Sequence, residues 1–249
     1  MTHLTSPSYW DRQWEGLPLP AVVDMRSVSN RRLDTLFHRY LEPSTETTFV
    51  ELGCAPGQWL IYFHERFGYQ VYGYDSSEIG IDLCRRNLET RGTPAVVEQR
   101  DIFSLSEGER FDIVFSAGLI EHFTDPAAIL ALHAGLLKKG GILLLLIPNL
   151  RYIYYFLQTL INPAVLAHHN LAVMRPATFR GLVEAEPSCT PLFCHYSGIF
   201  NLGLLNTKRP SHLLTWADRL MNSFFRSFPP IETRFTSPYL LSVARKNEE

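Results

Sequence analysis

The chain has 249 residues, of which 46% are hydrophobic and 19% are charged. This composition suits one large α/β domain with a buried core and excludes a disordered chain. The formal net charge is -2, so the chain lacks the broad positive field that attracts a polyphosphate backbone. We therefore expect no nucleic-acid partner.

The sequence shows no signal for export, membrane insertion or disulfide bonding. The N-terminus lacks the basic start and apolar core of a signal peptide, and no apolar run approaches the roughly 20 residues that cross a bilayer. We expect a soluble, cytoplasmic protein without a membrane span. Four cysteines, Cys54, Cys84, Cys189 and Cys194, match no common zinc-binding spacing, and we interpret them as reduced thiols.

Two helices are predicted before the first strand. Ser6-Pro7 is typical of a helix start, and the helix that follows brings Tyr9, Trp10 and Trp14 close together. This aromatic segment either packs back on the domain or forms a lid over a pocket. A second helix with apolar residues at helical spacing ends at Pro43.

Strands and helices then alternate. The predicted elements are a strand from Thr48, the helix Gln58–Phe67 closed by Gly68, a strand over 70–74, a helix capped by Ser76 or Ser77, strands over 95–98 and 111–116, a helix begun by Asp125-Pro126, and a strand over 142–147. We expect Ile79 and Leu83 to face inward in the capped helix. We expect Lys138-Lys139-Gly140-Gly141 to end the helix that begins at Asp125-Pro126.

The alternation breaks after the strand over 142–147. Residues 151–175 read as an insertion, and Pro176 then begins a helix through Ala185. A strand over 192–196, a helical stretch over 211–225 and a last strand over 239–245 complete the chain. The pattern predicts a doubly wound α/β fold.

The turn after the first strand is suited to close contact with a ligand. In Glu51-Leu52-Gly53-Cys54-Ala55-Pro56-Gly57, small residues let the backbone approach a bound molecule. A dinucleotide site would want glycine in the middle of this turn to cradle a pyrophosphate, and Ala55 stands there instead. Asp75 is positioned to accept hydrogen bonds from ribose hydroxyls, and Asp101-Ile102 can bracket an adenine. These strand ends predict a pocket for a nucleoside with a small charged group.

With these motifs in order, the chain resembles the class I S-adenosylmethionine-dependent methyltransferases over residues 49–150 and the last strand. The resemblance implies that the turn over 51–57 holds the methionine part of S-adenosyl-L-methionine, that Asp75 binds the ribose, and that Asp101-Ile102 contacts the adenine. It also implies that Ser116-Ala117-Gly118 borders the cofactor. The expected cofactor-binding residues are Tyr9, Trp14, Glu51, Gly53, Cys54, Ala55, Gly57, Asp75, Ser76, Asp101, Ile102, Ser116 and Ala117.

The resemblance also fixes the expected architecture. It implies a Rossmann-like, seven-stranded, mostly parallel sheet with an antiparallel last strand and helical insertions near the C-terminal half. We expect a single domain made of an N-terminal helical lid (1–45), a cofactor-binding core (46–150), a substrate-side insertion (151–190), and C-terminal strands with a helix (191–249).

Three histidines are candidates for catalysis. Methyl transfer needs alignment of the acceptor with the sulfonium, and a hydroxyl acceptor also benefits from a general base. His122, in a segment that resembles the family's Glu-His motif, is the first candidate, and it either acts as the base or only shapes the pocket. His168 and His169 are the rival bases. Tyr152, Tyr154, Tyr155 and Phe156 either line the substrate site or pack in the core.

We expect no metal. Glu121-His122 is similar to the metal-using ubiquinone-type O-methyltransferases, but those sites want a further carboxylate where this chain has Gly118. The favoured function is methyl transfer from S-adenosyl-L-methionine to a small organic acceptor, at a hydroxyl oxygen. The alternatives are transfer to nitrogen or sulfur, a catalytically silent cofactor-binding partner subunit, and a nicotinamide-dependent oxidoreductase. The sequence indicates neither the acceptor's identity nor the oligomeric state.

Overall fold

The computed structural model describes residues 3–105, 110–205, 212–227 and 231–248. Across these ranges seven strands form one sheet: β1 (Thr48–Leu52), β2 (Gln70–Asp75), β3 (Ala95–Gln99), β4 (Phe111–Ala117), β5 (Leu137–Pro148), β6 (Cys189–Ser197) and β7 (Tyr239–Lys246). Their order is β3-β2-β1-β4-β5-β7-β6. Strand β7 is antiparallel to β5 and β6, and the other neighbouring pairs are parallel. The predicted doubly wound sheet with an antiparallel last strand is confirmed.

Helices cover both faces of the sheet. They are α1 (Pro7–Trp14), α2 (Val28–Tyr40), α3 (Gln58–Phe67), α4 (Glu78–Arg91), α5 (Pro126–Gly135), α6 (Ile153–Ile161), α7 (Pro176–Glu184) and α8 (His212–Phe225). The predicted start of the last helix at Ser211 lies outside the described residues. Within the described ranges, no helix combines the length and the hydropathy needed to cross a membrane.

Each face of the sheet carries its own hydrophobic core, because side chains alternate along a strand. In β4, Val114 packs in the core formed with α5 and α7, whereas Phe115 packs in the core formed with α2, α3 and α4. Leu143 and Leu144 of β5 divide in the same way. Two covered faces explain why residues 142–147 are apolar at every position.

The helix starts follow the capping chemistry in the sequence. The Ser6 hydroxyl accepts from the amide of Tyr9 in α1, and the Asp125 carboxylate accepts from the amide of Ala128 in α5. Of the two serines predicted to cap α4, Ser77 does so and accepts from the amide of Gly80 at 2.9 Å.

Two local predictions are wrong. Ile79 is 40% exposed, and Ile81 is buried together with Leu83 instead. The lysines of Lys138-Lys139-Gly140-Gly141 do not end α5, because β5 already begins at Leu137. The segment lies along β4 instead, with Leu137 opposite Phe111 and Ile142 opposite Ile113, and Lys138 Nζ lies 2.9 Å from Asp112 Oδ2 of that strand.

Candidate active site

The turn between β1 and α3 brings backbone amides to the carboxyl edge of the sheet. Gly53 and Gly57 have φ of 74° and 90°, in the left-handed region that favours glycine. At Gly57 a Cβ atom would lie 2.8 Å from Cys84 Sγ on α4, so the turn also needs the missing side chain for packing. The sequence therefore builds this turn close against α4.

Asp75, at the end of β2, is held by the same turn. Its Oδ2 accepts from the Ala55 amide at 3.1 Å, and its Oδ1 accepts from the Ser77 amide at 2.9 Å. Burial raises the pKa of Asp75, and the amide donors oppose that rise. The Ser76 amide also donates to this carboxylate, so three of its roughly four acceptor positions are used and one remains for a ribose hydroxyl.

A cavity of about 380 Å³ lies above these strand ends, a size suited to a small ligand. Eight of the expected cofactor-binding residues line it: Trp14, Gly53, Ala55, Asp75, Ser76, Asp101, Ile102 and Ala117. We call it the nucleoside cavity. Three other members of its wall, Trp10, Gly118 and His122, were named in the sequence analysis for other roles or as the cofactor's border. The members that it missed are His3, Thr5, Ser6, Leu119 and Phe123.

The remaining expected cofactor residues lie elsewhere. Glu51 lines a neighbouring open cavity together with Gly53 and Ala55, and Tyr9 lines a further cavity described below. Cys54, Gly57 and Ser116 do not line the nucleoside cavity. Cys54 is buried, Gly57 precedes α3, and the Ser116 hydroxyl donates to His133 Nε2 at 2.9 Å.

Glu51 fits a positively charged group. Its Oε2 is buried and has no hydrogen-bond partner, and burial raises the pKa of this carboxyl well above its usual range. A buried carboxylate of this kind is stabilised when a cation approaches it. The Glu51 carboxyl and the remaining acceptor position of Asp75 together fit S-adenosyl-L-methionine, which combines a ribose with positive charge.

The first helix closes the top of the site. Trp10 and Trp14 stack with ring centroids 5.9 Å apart, and both line the nucleoside cavity. Asp11 Oδ1 accepts from the Ser77 hydroxyl at 2.6 Å, which ties α1 to the start of α4. The main-chain carbonyl of His122 accepts from the Leu4 amide at 2.8 Å. These contacts seat the N-terminal segment over the strand ends.

A second cavity of about 400 Å³ lies beside the first. Trp10, Trp14, Ala117, Gly118 and His122 line both cavities, so the two meet at the end of β4. We call the second one the acceptor cavity. Its other lining residues are Tyr9, Gln13, Gln58, Trp59, Glu121, Leu146, Ile147, Pro148, Leu150, Val165, His169, Leu204 and Tyr239.

Of the two roles considered for the aromatic run after β5, a wall of the substrate site does not form. Tyr154 is fully buried in the core, whereas Tyr155 and Phe156 are 47% and 62% exposed. None of these three side chains lines the acceptor cavity. Helical spacing sends neighbouring residues of α6 in different directions, so a run of aromatics cannot face one site.

Glu121, His122 and His169 meet in the acceptor cavity. A 3₁₀ turn over Ile120–His122 follows β4, and a second one over Pro163–His168 lies in the insertion. The Asn170 amide donates to the Glu121 carbonyl at 2.7 Å and holds the two segments together. The rings of His122 and His169 consequently lie 4.4 Å apart. Sequence analysis named both histidines as candidate bases, and it considered Glu121 only as part of a motif at which it expected no metal.

The hydrogen bonds assign the tautomers of the histidines. Nδ1 of His122 contacts the His168 carbonyl at 2.7 Å, and Nδ1 of His169 contacts the Val165 carbonyl at 2.7 Å. A carbonyl can only accept, so both Nδ1 atoms donate and both Nε2 atoms carry a lone pair. Nδ1 of His168 likewise donates to a carbonyl, that of Leu4 at 2.9 Å, and this bond ties the insertion to the N-terminal segment.

Burial favours the uncharged forms of all three groups. It raises the pKa of Glu121 to about 8 and lowers the pKa of His122 to about 3. It lowers the pKa of His169 to about 4. Although Glu121 Oε1 lies 3.9 Å from His122 Nε2, the two are therefore not a charged pair in the free protein.

Comparison with known proteins identifies the family. The family described as a methyltransferase domain matches residues 25–186, which is more than half of the chain. The chain belongs to this methyltransferase family. Membership confirms the resemblance to class I S-adenosylmethionine-dependent methyltransferases, and it confirms S-adenosyl-L-methionine as the expected cofactor.

Curated relatives match about half of this methyltransferase. A ubiquinone biosynthesis O-methyltransferase from Ruegeria pomeroyi is 29% identical over 139 residues, which cover 54% of this chain and 56% of that protein. The chain thus spans about half the length of the curated relatives it matches.

Two solved structures share the fold. Geranyl diphosphate C-methyltransferase from Streptomyces coelicolor, in complex with Mg²⁺, geranyl diphosphate and S-adenosyl-L-homocysteine, has a TM-score of 0.60 and 13% identity, covering 96% of this chain and 98% of that one. The cyclase SpnF has a TM-score of 0.65 and 15% identity, covering 100% of this chain and 97% of that one. These likenesses show the fold alone, and the chemistry must be argued from the site.

Proposed function

We propose that this chain transfers a methyl group from S-adenosyl-L-methionine to a hydroxyl oxygen of a small organic molecule. The observation that carries the proposal is the junction of the nucleoside and acceptor cavities at Ala117 and Gly118. A donor in one cavity and an acceptor in the other would meet there.

Residues around the nucleoside cavity hold the cofactor in this proposal. Asp75 accepts from a ribose hydroxyl, while Asp101 and Ile102 bracket the adenine. The Gly53–Gly57 turn receives the methionine part, with the Glu51 carboxylate facing positive charge. The bound cofactor supplies an activated methyl group with its own leaving group.

The remaining expected cofactor residues have supporting roles. Trp14 lines both cavities and excludes water from their junction, and Tyr9 closes the acceptor side. Ser76 lines the nucleoside cavity beside Asp75. Cys54, Gly57 and Ser116 act indirectly in this proposal, because they lie in the turn after β1 or at the end of β4 and support the residues that line the cavity.

The acceptor's proton passes to an imidazole lone pair. His122 and His169 line the acceptor cavity and carry an unprotonated Nε2, the form that a general base requires, although burial lowers the pKa of both rings and so weakens them as bases in the free protein. As the acceptor oxygen bonds to the methyl carbon, its O–H proton moves to one of these nitrogens. His168 acts as a positioning residue, because its bond to Leu4 holds the lid.

An oxygen acceptor is favoured over nitrogen or sulfur. Neutral amines and thiolates can attack a methyl sulfonium without a general base, whereas a hydroxyl benefits from one. The two imidazole lone pairs of His122 and His169 therefore suit a hydroxyl acceptor best. The relative from Ruegeria pomeroyi is named as an O-methyltransferase, which supports the same assignment.

Transfer of a labelled methyl group tests this function. The purified chain is incubated with S-adenosyl-L-methionine labelled in the methyl group and with matched phenol, thiophenol and aniline acceptors. We expect label in the phenols alone. Label only in thiophenols or anilines would contradict the oxygen assignment, and no cofactor binding would defeat the whole proposal.

A further inference from the structure

We propose that Glu121, His122 and His169 form a binding site for one divalent transition-metal ion in the acceptor cavity. One ligand atom from each of the three residues lies within 4.8 Å of the others. Two of these atoms are imidazole nitrogens and the third is a carboxylate oxygen. Sequence analysis expected no metal because it considered only the segment with Gly118, and His169 comes from the distant insertion.

The two imidazoles are already oriented as metal ligands. A ligating histidine usually donates its other ring N–H to a carbonyl or carboxylate, which fixes the tautomer and the ring. His122 and His169 each do this, to the carbonyls of His168 and Val165. Their free Nε2 atoms face the same space. Nothing in a purely structural pair of histidines requires both lone pairs to converge.

The Glu121 carboxylate provides the strongest evidence for a cation site. Its side chain is fully buried, and neither carboxylate oxygen has a hydrogen-bond partner in the structure. Such a group is costly to bury unless something satisfies it, and a cation would do so. The closest polar atom of the cluster, His122 Nε2, lies 3.9 Å from Oε1, beyond hydrogen-bond distance.

The spacing leaves room for an ion between the ligands. Bonds of about 2.0 to 2.2 Å at tetrahedral angles put ligand atoms roughly 3.3 to 3.5 Å apart, so ligand atoms that now lie within 4.8 Å of one another need to close in by at most about 1.5 Å. Small rotations of the Glu121 side chain provide that movement, because it is not held by any hydrogen bond of its own carboxylate.

The ligand set selects the class of metal. Imidazole nitrogens suit Zn²⁺, Cu²⁺, Fe²⁺ or Ni²⁺, whereas Mg²⁺, Ca²⁺ and Mn²⁺ prefer sites made of oxygen atoms. Three protein ligands leave at least one coordination position open, as in catalytic zinc sites. That position faces the cavity that these same three residues line.

The role of the ion rests on the proposed function, although binding itself does not. An acceptor hydroxyl at the open position would lose its proton to solvent, because the cation stabilises the oxyanion. The oxyanion then bonds to the methyl carbon as the carbon–sulfur bond breaks and its electron pair stays on sulfur. In the metal-loaded protein, His122 and His169 hold the ion instead of accepting the proton.

Cobalt binding tests the site without cofactor or acceptor. The chain is treated with a chelator, dialysed and titrated with Co²⁺, and the visible d–d absorption bands and metal content are measured. The variants are Glu121→Gln and His169→Gln, and the control is His38→Gln, whose side chain is exposed on α2. Thermal unfolding of each variant in the absence of metal checks folding.

We expect one Co²⁺ per chain for the wild type and the control, with affinity at least tenfold weaker in both site variants. Zn²⁺ should displace Co²⁺, and Mg²⁺ should not. Absence of Co²⁺ binding by the wild type, or equal affinity in all folded variants, would overturn the site. Calorimetric titration of the same samples with S-adenosyl-L-methionine reports on the proposed function separately, so failure of one does not imply failure of the other.

Discussion

Trp10 stands edge-on against His122, with ring centroids 4.9 Å apart and an interplanar angle of 88°. One residue belongs to the N-terminal helix and the other follows β4, so this contact joins the lid to the floor of the site. Both side chains line the nucleoside cavity and the acceptor cavity. The N-terminal helix therefore forms part of the wall that the two cavities share.

Removal of the Trp10 ring should weaken cofactor binding. We expect the Trp10→Ala variant to bind S-adenosyl-L-methionine about tenfold more weakly, because it loses roughly 1.4 kcal/mol of ring contact and water exclusion. Isothermal titration measures the change. The matched control is Trp216→Ala on α8, where the ring is 62% exposed. Equal loss in both variants would contradict the role of the lid.

The Asp75 carboxylate should matter for cofactor affinity more than for folding. In Asp75→Asn, the loss of the charged acceptor should weaken binding by about 1 to 3 kcal/mol, since a hydrogen bond to a charged group is worth that much. Isothermal titration gives the affinity, and Asp82→Asn on the exposed face of α4 is the control. Unchanged affinity in Asp75→Asn would count against the ribose assignment.

Gly57 should be sensitive to both strain and crowding. In Gly57→Ala the new Cβ meets Cys84 Sγ in a left-handed backbone, and we expect a loss of about 2 to 4 kcal/mol in the free energy of unfolding. Gly92→Ala is the control, because Gly92 also has positive φ but nothing lies within 4 Å of an added Cβ. Urea denaturation should show a loss of about 1 kcal/mol there.

The Cys84→Ala background separates the steric clash at Gly57→Ala from the backbone strain. When Cys84 is replaced by alanine, the clash disappears and the backbone strain remains. Gly57→Ala should then cost about as much as Gly92→Ala. An undiminished cost in the Cys84→Ala background would show that contact with the sulfur is irrelevant.

The buried His133 should make stability depend on acid pH. Burial lowers the pKa of His133 to about 4, below its ordinary value of 6.5, and its Nε2 accepts from Ser116. As pH falls, His133 is therefore protonated in the unfolded chain before it is protonated in the folded chain. The contribution of His133 is fully present above pH 6.5 and falls as pH drops toward 4, by up to about 3 kcal/mol.

Denaturant titrations across this pH window check the prediction. The His133→Gln variant should show a shallower decline of unfolding free energy between neutral and acid pH than the wild type. The exposed His38→Gln variant should retain the wild-type slope. Identical slopes in all three proteins would contradict the proposed protonation of His133.

The elements that the sequence predicted best are those whose signals are local. Helix α3 begins and ends as expected, because its apolar face and the left-handed Gly68 lie within its own residues. The start of β5 was not predicted, because Lys138 and two glycines are typical of a helix end. The strand is revealed by its pairing with β4, which places Leu137 opposite Phe111.

Within the candidate site too, local sequence signals predicted some residues, and tertiary folding brings in the others. Gly53, Asp75 and Asp101 follow strand ends, so their meeting at one edge was predictable from the order of the elements. The meeting of Glu121 with His169 was not, because it depends on how the insertion folds back onto the turn after β4. Likewise, no pattern in the sequence indicates that the Glu121 carboxylate lacks a partner.

Calorimetric titration with S-adenosyl-L-methionine and, separately, with NADH tests the central claim most directly. The strand ends fit an adenosyl sulfonium compound and lack the middle glycine of a pyrophosphate cradle. We predict saturable one-to-one binding of S-adenosyl-L-methionine, lost or strongly weakened in Asp75→Asn, and no binding of NADH. Binding of NADH together with no heat from S-adenosyl-L-methionine would contradict the account.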